Sequence, residues 1–393
     1  MCTNLLVIGA SARAFAASAA RLGIKVNGID LFGDQDLREV CGQVVQIHGD
    51  DYPDGFPAIA ASFPRGPVVY TGGIENHLKV LDALSSTRKL LGNVSKVVKR
   101  VRDPAFVQEV ARENGCSYPA TFFSSADLPK EGTYLKKPVL SVGGAGIELW
   151  EGLRKKPCVS GELWQEFVTG IPMSISFCVN PGGIEVLNVC RQLIGRGWCQ
   201  AKGFSFCGAV ELLNVGLQQD MVARLLQFAN ALVERAGLTG LIGVDFIMPR
   251  KTAGNSLRKP IILEVNPRPT ATMELAERRT GRSYAGLHLL SQGFSLPTES
   301  MVSTCEQDVC WGKAIVFANK PLCVSSVFTR HLKRSASFME GQSFGWPMVA
   351  DWPRSGSVIR AGHPIVTIFA SARTSGHVLR RLREHVYEIV QGL

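Results

Sequence analysis

Short apolar runs closed by glycine mark the first part of the chain. Residues 4–9, NLLVIG, form one such run, the signature of a buried strand. The helix formers ASARAFAASAARLG follow, with Gly23 where a helix commonly ends. The next run, IKVNGID, stops at Asp30 and completes a β-α-β start. PVVYTGG, residues 67–73, is another buried strand. It opens into Gly72 and Gly73 at the carboxyl edge of a parallel sheet, where such folds bind ligands. A helical stretch, ENHLKVLDALSSTRKLLGN, comes next. DPAFVQEVARENGCSYPAT then reads as a capped helix, with Asp103 as cap, Pro104 in the first turn and Gly115 near the end.

The period changes in the middle. TYLKKPVLSVGGAGIELW, GELWQEFVTGIPMSISFCVN and PGGIEVLNVCRQLIG read as strands, the last two joined by a Pro-Gly-Gly turn. Residues 218–236 have the spacing of an amphipathic helix closed by Gly237. Two strands, LIGVDFIM and PIILEVN, flank the polar connector PRKTAGNSLRK, and a helix starts near Thr272. From about Met301 the pattern is β-rich and loop-rich, and it ends in the basic helix GHVLRRLREHVYEIVQGL. The pattern predicts an α/β protein, α+β in its central part. Its expected units are a Rossmann-like domain over 1–92, a central domain over 93–298 with a small subdomain near 103–165, and a small β-rich C-terminal domain over 299–393.

Composition narrows the options. A chain of 393 residues is too long for one ordinary core. A net charge of +10 and a pI near 9.1 favour an anionic ligand and raise nucleic acid as a partner. The basic residues are dispersed, however. The densest stretch, KVVKRVR from Lys96 to Arg102, also reads as one helix face, and no nucleic-acid module has its motif here. A generally basic surface and no nucleic-acid partner are expected. Eleven cysteines form no C-x-x-C and no zinc spacing, and Cys305 and Cys310 have no partner pair. Cys178 and Cys190 lie in apolar runs, as small buried hydrophobes of a reducing compartment do. No charged segment precedes the first apolar run, and no run reaches the roughly 18 apolar residues of a membrane span. The expectation is a cytoplasmic protein without membrane contact.

The first turn tests a nicotinamide reading. GASARA has Ser11 and Ala14 where a dinucleotide fingerprint needs its second and third glycines, although Asp30 lies where a ribose-binding acid would. The missing glycines weigh against an oxidoreductase.

The chemistry concentrates in ILEVNPRPTATMELAERRTG, residues 262–281, where Glu264, Asn266 and Arg268 occupy alternate positions of one strand face. If the polar connector closes an unbulged hairpin pairing Met248 with Ile261, Asp245 falls directly opposite Glu264. Facing carboxylates must share a proton, pair with cations or bind a metal. Two readings fit: a structural ion-pair network with Arg268, or a site for a hard cation, Mg²⁺ or Mn²⁺, whose other ligands are water and phosphate. The stretch KKPVLSVGGAGI favours the second. It puts Lys137 before a loop with Gly143, Gly144 and Gly146, where backbone amides can approach phosphate oxygens. It is not a Walker A loop. Together with the acidic strands, it points to a nucleoside triphosphate.

In order along the chain, LKKPVLSVGGAGI, WQEFVTGIPMSISF, GVDFIM and LEVNPRP make the sequence similar to the ATP-grasp superfamily of carboxylate–amine ligases, over roughly residues 1–295. The resemblance implies an ATP-grasp fold with ATP and Mg²⁺ as cofactors. Lys137 would be an ATP lysine, with Gly143, Gly144 and Gly146 as the flap over the phosphates. Gln165, Glu166 and Val168 would line adenine. Asp245, Glu264 and Asn266 would hold the metal, and Arg268 would support phosphate or acylphosphate. The family's first ATP lysine has no counterpart where Arg102-Asp103-Pro104 stands, so Lys99 or Arg102 would substitute. Gly72, Gly73, Glu75, Arg191 and Gln192 are candidate substrate contacts. VVYTGGIENH, RQLIG and ADWPRSGSVIRAGHPIVTIFA further resemble a subgroup that includes tyramine–glutamate ligases of methylofuran synthesis, and the tail is similar to that of biotin carboxylases. His363 departs from the acid common there. The resemblance implies small-molecule carboxylate and amine substrates, an acylphosphate intermediate and, as is common in such ligases, a homodimer. The rival readings are an ATP-binding protein without ligase activity, a nicotinamide oxidoreductase and a nucleic-acid-binding protein.

Overall fold

The computed structural model describes residues 4–150, 161–213, 219–250, 258–296, 308–340 and 346–392. Its N-terminal apolar runs become a parallel sheet. β1 (Asn4–Gly9), α1 (Arg13–Ala20), β2 (Lys25–Asp30), α2 (Gln35–Val40), β3 (Val44–Gln46), α3 (Phe56–Ala61) and β4 (Val68–Tyr70) follow one another, and the strands lie in the order β3-β2-β1-β4. Leu5 and Val7 of β1 pack on one face and Leu6 and Ile8 on the other. Burial on both faces explains why the run has no polar alternation. A 3₁₀ turn, Ile74–Asn76, leads into α4 (Leu78–Thr87). This helix is shorter than the sequence predicts, because Leu90 pairs with Val68 at the sheet edge.

Next come α5 (Ser95–Val101) and α6 (Pro104–Glu113). Asp103 caps α6 as expected: its Oδ1 accepts the Ala105 N–H at 3.0 Å. β5 (Thr121–Phe122), β6 (Tyr134–Pro138), β7 (Glu148–Trp150) and β8 (Glu162–Glu166) then form a small antiparallel sheet ordered β5-β8-β6-β7.

The largest sheet takes β9 (Ile171–Asn180), β10 (Gly183–Ile194) and β11 (Phe206–Glu211), then, after α7 (Gln219–Ala236), β12 (Gly240–Met248) and β13 (Ile261–Asn266). Helices α8 (Met273–Thr280) and α9 (Tyr284–Ser291) follow. The tail supplies β14 (Cys310–Phe317), β15 (Leu322–Cys323), α10 (Ser326–Glu340), β16 (Val349–Ala350), β17 (Val358–Ile359), β18 (Pro364–Ala372) and α11 (Ser375–Gln391). The sheet order is β13-β12-β9-β10-β11-β14-β18-β16, so the tail's longer strands continue the central sheet. β15 and β17 pair as a separate ribbon.

Strand alternation gives that sheet two unlike faces. Met173, Ile175, Phe177 and Val179 of β9 pack with Phe106 and Val110 of α6 and Leu225 and Phe228 of α7 in one buried cluster. Ser174, Ser176 and Cys178 alternate with them. Ser176 Oγ lies 3.2 Å from Thr272 Oγ1, and Cys178 Sγ lies 3.8 Å from the Leu287 carbonyl, so this polar face looks toward the N-terminal end of α8 and α9. The candidate chemistry occupies it.

A buried ion cluster ties the layers together. Glu274 of α8 accepts from Arg13 Nη1 at 2.5 Å and Nη2 at 3.1 Å, lies 3.3 Å from Lys313 Nζ and is 3.5 Å from Arg278. Burial alone would push the Glu274 carboxyl up, but Arg13, Lys313 and Arg278 hold it well below the usual carboxylate range. Asp351 of the tail completes the arrangement by accepting from Arg13 Nε at 2.8 Å. Among the described residues no helix is long and apolar enough to cross a membrane. The described cysteines, Cys178 and Cys190 among them, are free thiols, while Cys305 lies outside the described residues.

Glu274→Ala would leave three buried cations without their shared anion. We expect a loss of roughly 3–5 kcal/mol in denaturant unfolding, against about 1 kcal/mol or less for an exposed control such as Glu384→Ala.

Candidate functional site

The β12–β13 hairpin brings Asp245 directly opposite Glu264, as the spacing predicts, but through a bulge. Phe246 pairs with Ile262 and Ile247 with Ile261, so the expected Met248–Ile261 pairing does not form. One extra residue, Leu263, is accommodated beside the acids, and bulges commonly re-aim side chains next to sites.

Asp245 is steadied by two neutral donors. Its Oδ1 accepts from Gln192 Nε2 at 2.8 Å and its Oδ2 from Asn266 Nδ2 at 3.1 Å. Burial, and then the charge of Glu264, push its pKa up to about 7 against the opposing effects of Arg268, Asn266 and Gln192. On the neighbouring strand Ser174 lies directly opposite Asp245, and its buried hydroxyl has no hydrogen-bond partner. Glu264 is 3.1 Å from Arg102 Nη1, yet its side chain is 40% exposed and so remains open to a ligand.

Arg268 is held on three sides. Its Nε donates to Glu75 Oε1 at 2.7 Å, its Nη2 to Asn266 Oδ1 at 3.3 Å, and its Nη1 to the Pro269 carbonyl at 3.0 Å. Gly72 lies against it: a Cβ there would sit 3.4 Å from the guanidinium carbon, an ordinary packing distance. At Gly73 a Cβ would come within 2.3 Å of the Tyr52 hydroxyl. The second oxygen of Glu75 is buried without a partner. Asp30, by contrast, is spent on its own turn. It accepts from the N–H groups of Ala12 at 2.6 Å and of Phe32 and Gly33 at 2.7 Å, which gives it a structural task in place of ribose binding.

The small sheet holds the other group of candidate residues. Lys137 Nζ donates to Gln165 Oε1 at 2.9 Å, and Gln165 Nε2 to Thr121 Oγ1 at 3.2 Å. Burial lowers the Lys137 pKa; the charges of Glu264 and Asp245 oppose that shift and the charge of Arg102 adds to it. Lys136 pairs instead with Glu148 and Glu162, at 3.5 and 3.3 Å. The glycine loop docks on the lead into β11: Gly143 O accepts the Phe206 N–H at 2.9 Å. Gly144 has φ +83°, and a Cβ there would lie 2.1 Å from the Phe204 carbonyl, so only glycine fits. Glu166 is exposed and braces Ala120, whose N–H it accepts at 3.2 Å. Val168 is half-buried in the segment joining the two sheets.

Two candidates lie elsewhere. Lys99 is exposed on α5, whereas Arg102, just past that helix, reaches Glu264. Arg191 is exposed and pairs in register with Met173 of the apolar face, so alternation turns it away while bringing Gln192 to Asp245. The geometry adds residues the sequence pattern does not single out. Asn76 accepts from Arg102 Nη2 at 3.0 Å and donates to the Ser141 carbonyl at 3.1 Å. Tyr118 has its pKa pushed up to about 12 by burial and by the charge of Glu264.

Among the described residues no group of three or more His, Cys, Asp or Glu side chains is arranged to hold a metal. Two carboxylates and an amide are a sparse oxygen set. It suits a cation that keeps water and phosphate in its shell, and a buried acid titrating near neutrality is one that such a cation would relieve.

Residues 102–272 match the family model described as an ATP-grasp domain. The fold is that of the ATP-grasp proteins. Solved structures resemble the chain over nearly its whole length. The N5-carboxyaminoimidazole synthetase of Staphylococcus aureus complexed with ADP is 15% identical with a TM-score of 0.68, covering 98% of this chain and 97% of that one. The L-amino acid ligase of Bacillus licheniformis is 17% identical with a TM-score of 0.67, at 98% and 97% coverage. The biotin carboxylase domain of the Hydrogenobacter thermophilus 2-oxoglutarate carboxylase is 14% identical with a TM-score of 0.65, at 97% and 89% coverage. No curated protein matches the sequence.

With its folded-state pKa raised to about 7, Asp245 begins to cost stability as the pH rises through its unfolded value of about 4, and the cost grows until the pH passes the folded value. Asp245→Asn should therefore raise the melting temperature of the ligand-free protein at pH 8 by at least about 2 °C. The gain should shrink at pH 5.5, as thermal unfolding followed by circular dichroism would show.

Proposed function

We propose that the chain is an ATP- and Mg²⁺-dependent ligase that joins a carboxylate to an amine and forms ADP. The observation that carries this reading is the pairing of Asp245 with Glu264 on the polar face of one sheet, tied through Arg102 and Asn76 to the glycine loop of another. ADP in the S. aureus synthetase structure and the ligase in the B. licheniformis structure support it.

In this reading Asp245, Glu264 and Asn266 would hold Mg²⁺, which when bound would supply positive charge to a transferring phosphoryl group. Lys137 and Arg102 neutralise phosphate oxygens, Arg102 being, of the two substitutes the sequence offers, the one that reaches Glu264. The loop with Gly143, Gly144 and Gly146 covers the phosphates with backbone amides, while Gln165, Glu166 and Val168 border adenine. The substrate carboxylate attacks the γ-phosphate, giving an acylphosphate and ADP. The amine then attacks the acyl carbon and expels phosphate. Arg268 is locked by Glu75 and Asn266, so it meets the developing negative charge without first reorganising. Gly72, whose backbone lies against the Arg268 guanidinium, and Gly73 border the acid. Glu75, with one unpartnered buried oxygen, offers an acceptor for a substrate N–H. The finer similarity to tyramine–glutamate ligases makes L-glutamate the first acid to test.

The decisive experiment is a screen for ADP release that crosses candidate acids, L-glutamate first, with candidate amines. Asp245→Asn and Glu264→Gln should each lower turnover roughly 10²-fold or more while the circular dichroism spectrum is kept. Unchanged turnover in both variants would sink the metal assignment. Binding of ATP without its consumption across the panel would leave a nucleotide-binding protein without ligase activity.

A further inference from the structure

The 3₁₀ turn Ile74–Asn76 carries two adjacent buried polar residues that reach different parts of the site. Glu75 grips Arg268, which donates to Asn266, which donates to Asp245. Asn76 reaches the other acid: its Oδ1 accepts from Arg102 Nη2 at 3.0 Å, and Arg102 Nη1 donates to Glu264 at 3.1 Å. Its Nδ2 is spent elsewhere, on the Ser141 carbonyl of the glycine loop at 3.1 Å. One amide thus joins the loop to the Arg102–Glu264 arm.

We infer that Asn76 is a positioning residue that couples closure of the glycine loop to the orientation of Arg102 and Glu264. The amide suits this task because it is a donor on one side and an acceptor on the other. At 8% exposure it has little water to exchange partners with, so losing either bond leaves a poorly compensated polar group. When the loop docks through Ser141, the Asn76 side chain is fixed with its oxygen toward Arg102. When the loop lifts, that oxygen is free to turn and Arg102 loses one of its two anchors. Among the described residues, the loop segment's other backbone ties, Phe206 N–H to Gly143 O and Val139 N–H to Gly161 O, do not touch the acids. The functional meaning of the coupling rests on the reading that the loop covers ATP phosphates; the coupling itself belongs to the ligand-free protein.

The test is hydrogen exchange of the ligand-free protein, followed by mass spectrometry over residues 139–147 and at Phe206. Asn76→Asp keeps the acceptor for Arg102 but replaces the donor to Ser141 with a second acceptor. It should speed exchange in the loop and at Phe206 at least about 5-fold, with β1 unchanged. Arg102 has no hydrogen bond to the loop among the described residues, yet Arg102→Met should speed loop exchange at least about 2-fold. The double variant should be no faster than Asn76→Asp alone, the non-additivity expected of residues acting through one link. A loop that ignores Arg102→Met would overturn the coupling and reduce Asn76 to an anchor. Unchanged exchange in Asn76→Asp would overturn both. In steady state, Asn76→Asp should raise KM for ATP more than it lowers kcat, a split that general loss of fold would not produce. Failure of MgADP to slow loop exchange in the unsubstituted protein would count against the ATP reading and leave the exchange comparison intact.

Discussion

Asp245 and Glu264 sit opposite each other across a bulged hairpin, and each is steadied by a different part of the chain. A bare pair of carboxylates in that position would repel, so the surrounding structure is arranged around their charge. Gln192 and Asn266 give Asp245 neutral hydrogen bonds, Arg102 gives Glu264 a cation, and Arg268 is kept close by its own partner, Glu75. None of these neighbours neutralises Asp245 outright, which leaves it titrating near neutrality. That residual tension separates this cluster from the Glu274 cluster. There, three cations surround one acid and hold its carboxyl well below its usual range. Both are buried ionic groups on the same polar side of the sheet, but only the first has charge left for a ligand.

The two faces of the central sheet explain how a stable protein tolerates this. Met173, Ile175, Phe177 and Val179 bury an apolar surface against α6 and α7. The alternate positions, Ser174 and Ser176, are thereby free to be polar. A strand that is half core and half site can carry an acid without weakening the packing behind it. The N-terminal unit contributes less to that core than to the site's rim. Its 3₁₀ turn delivers Glu75 and Asn76 against residues far along the sequence.

Much of this arrangement was legible in the chain. Alternation in ILEVNPRP placed Glu264, Asn266 and Arg268 on one side, and the hairpin spacing paired Asp245 with Glu264. The bulge at Leu263 escaped that reasoning. A one-residue slip leaves no mark in composition, and the pairing near the acids survives it because the shift falls between Asp245 and Phe246. Alternation could also have separated Arg191 from Gln192, since neighbours on a strand face opposite ways. The choice between Lys99 and Arg102 was different. Both lie near the end of one helical stretch, and only the tertiary structure, which sets Arg102 against Glu264, decides which of them reaches an acid.

The sequence by itself did not reveal helix α10, which forms in the tail stretch that reads as loop-rich. It determined the β-α-β start, the two-faced central strands, the helix cap at Asp103 and the residues of the acidic pair. These depend on periodicity and on contacts between near neighbours in the chain. Tertiary structure alone decided that Asn76 links the glycine loop to Arg102, that Glu75 locks Arg268, that Asp30 caps its own turn, and that the tail continues the central sheet. Each of the first two joins segments tens to hundreds of residues apart through a hydrogen bond. Such contacts follow from how layers dock, which no local pattern of polar and apolar positions encodes.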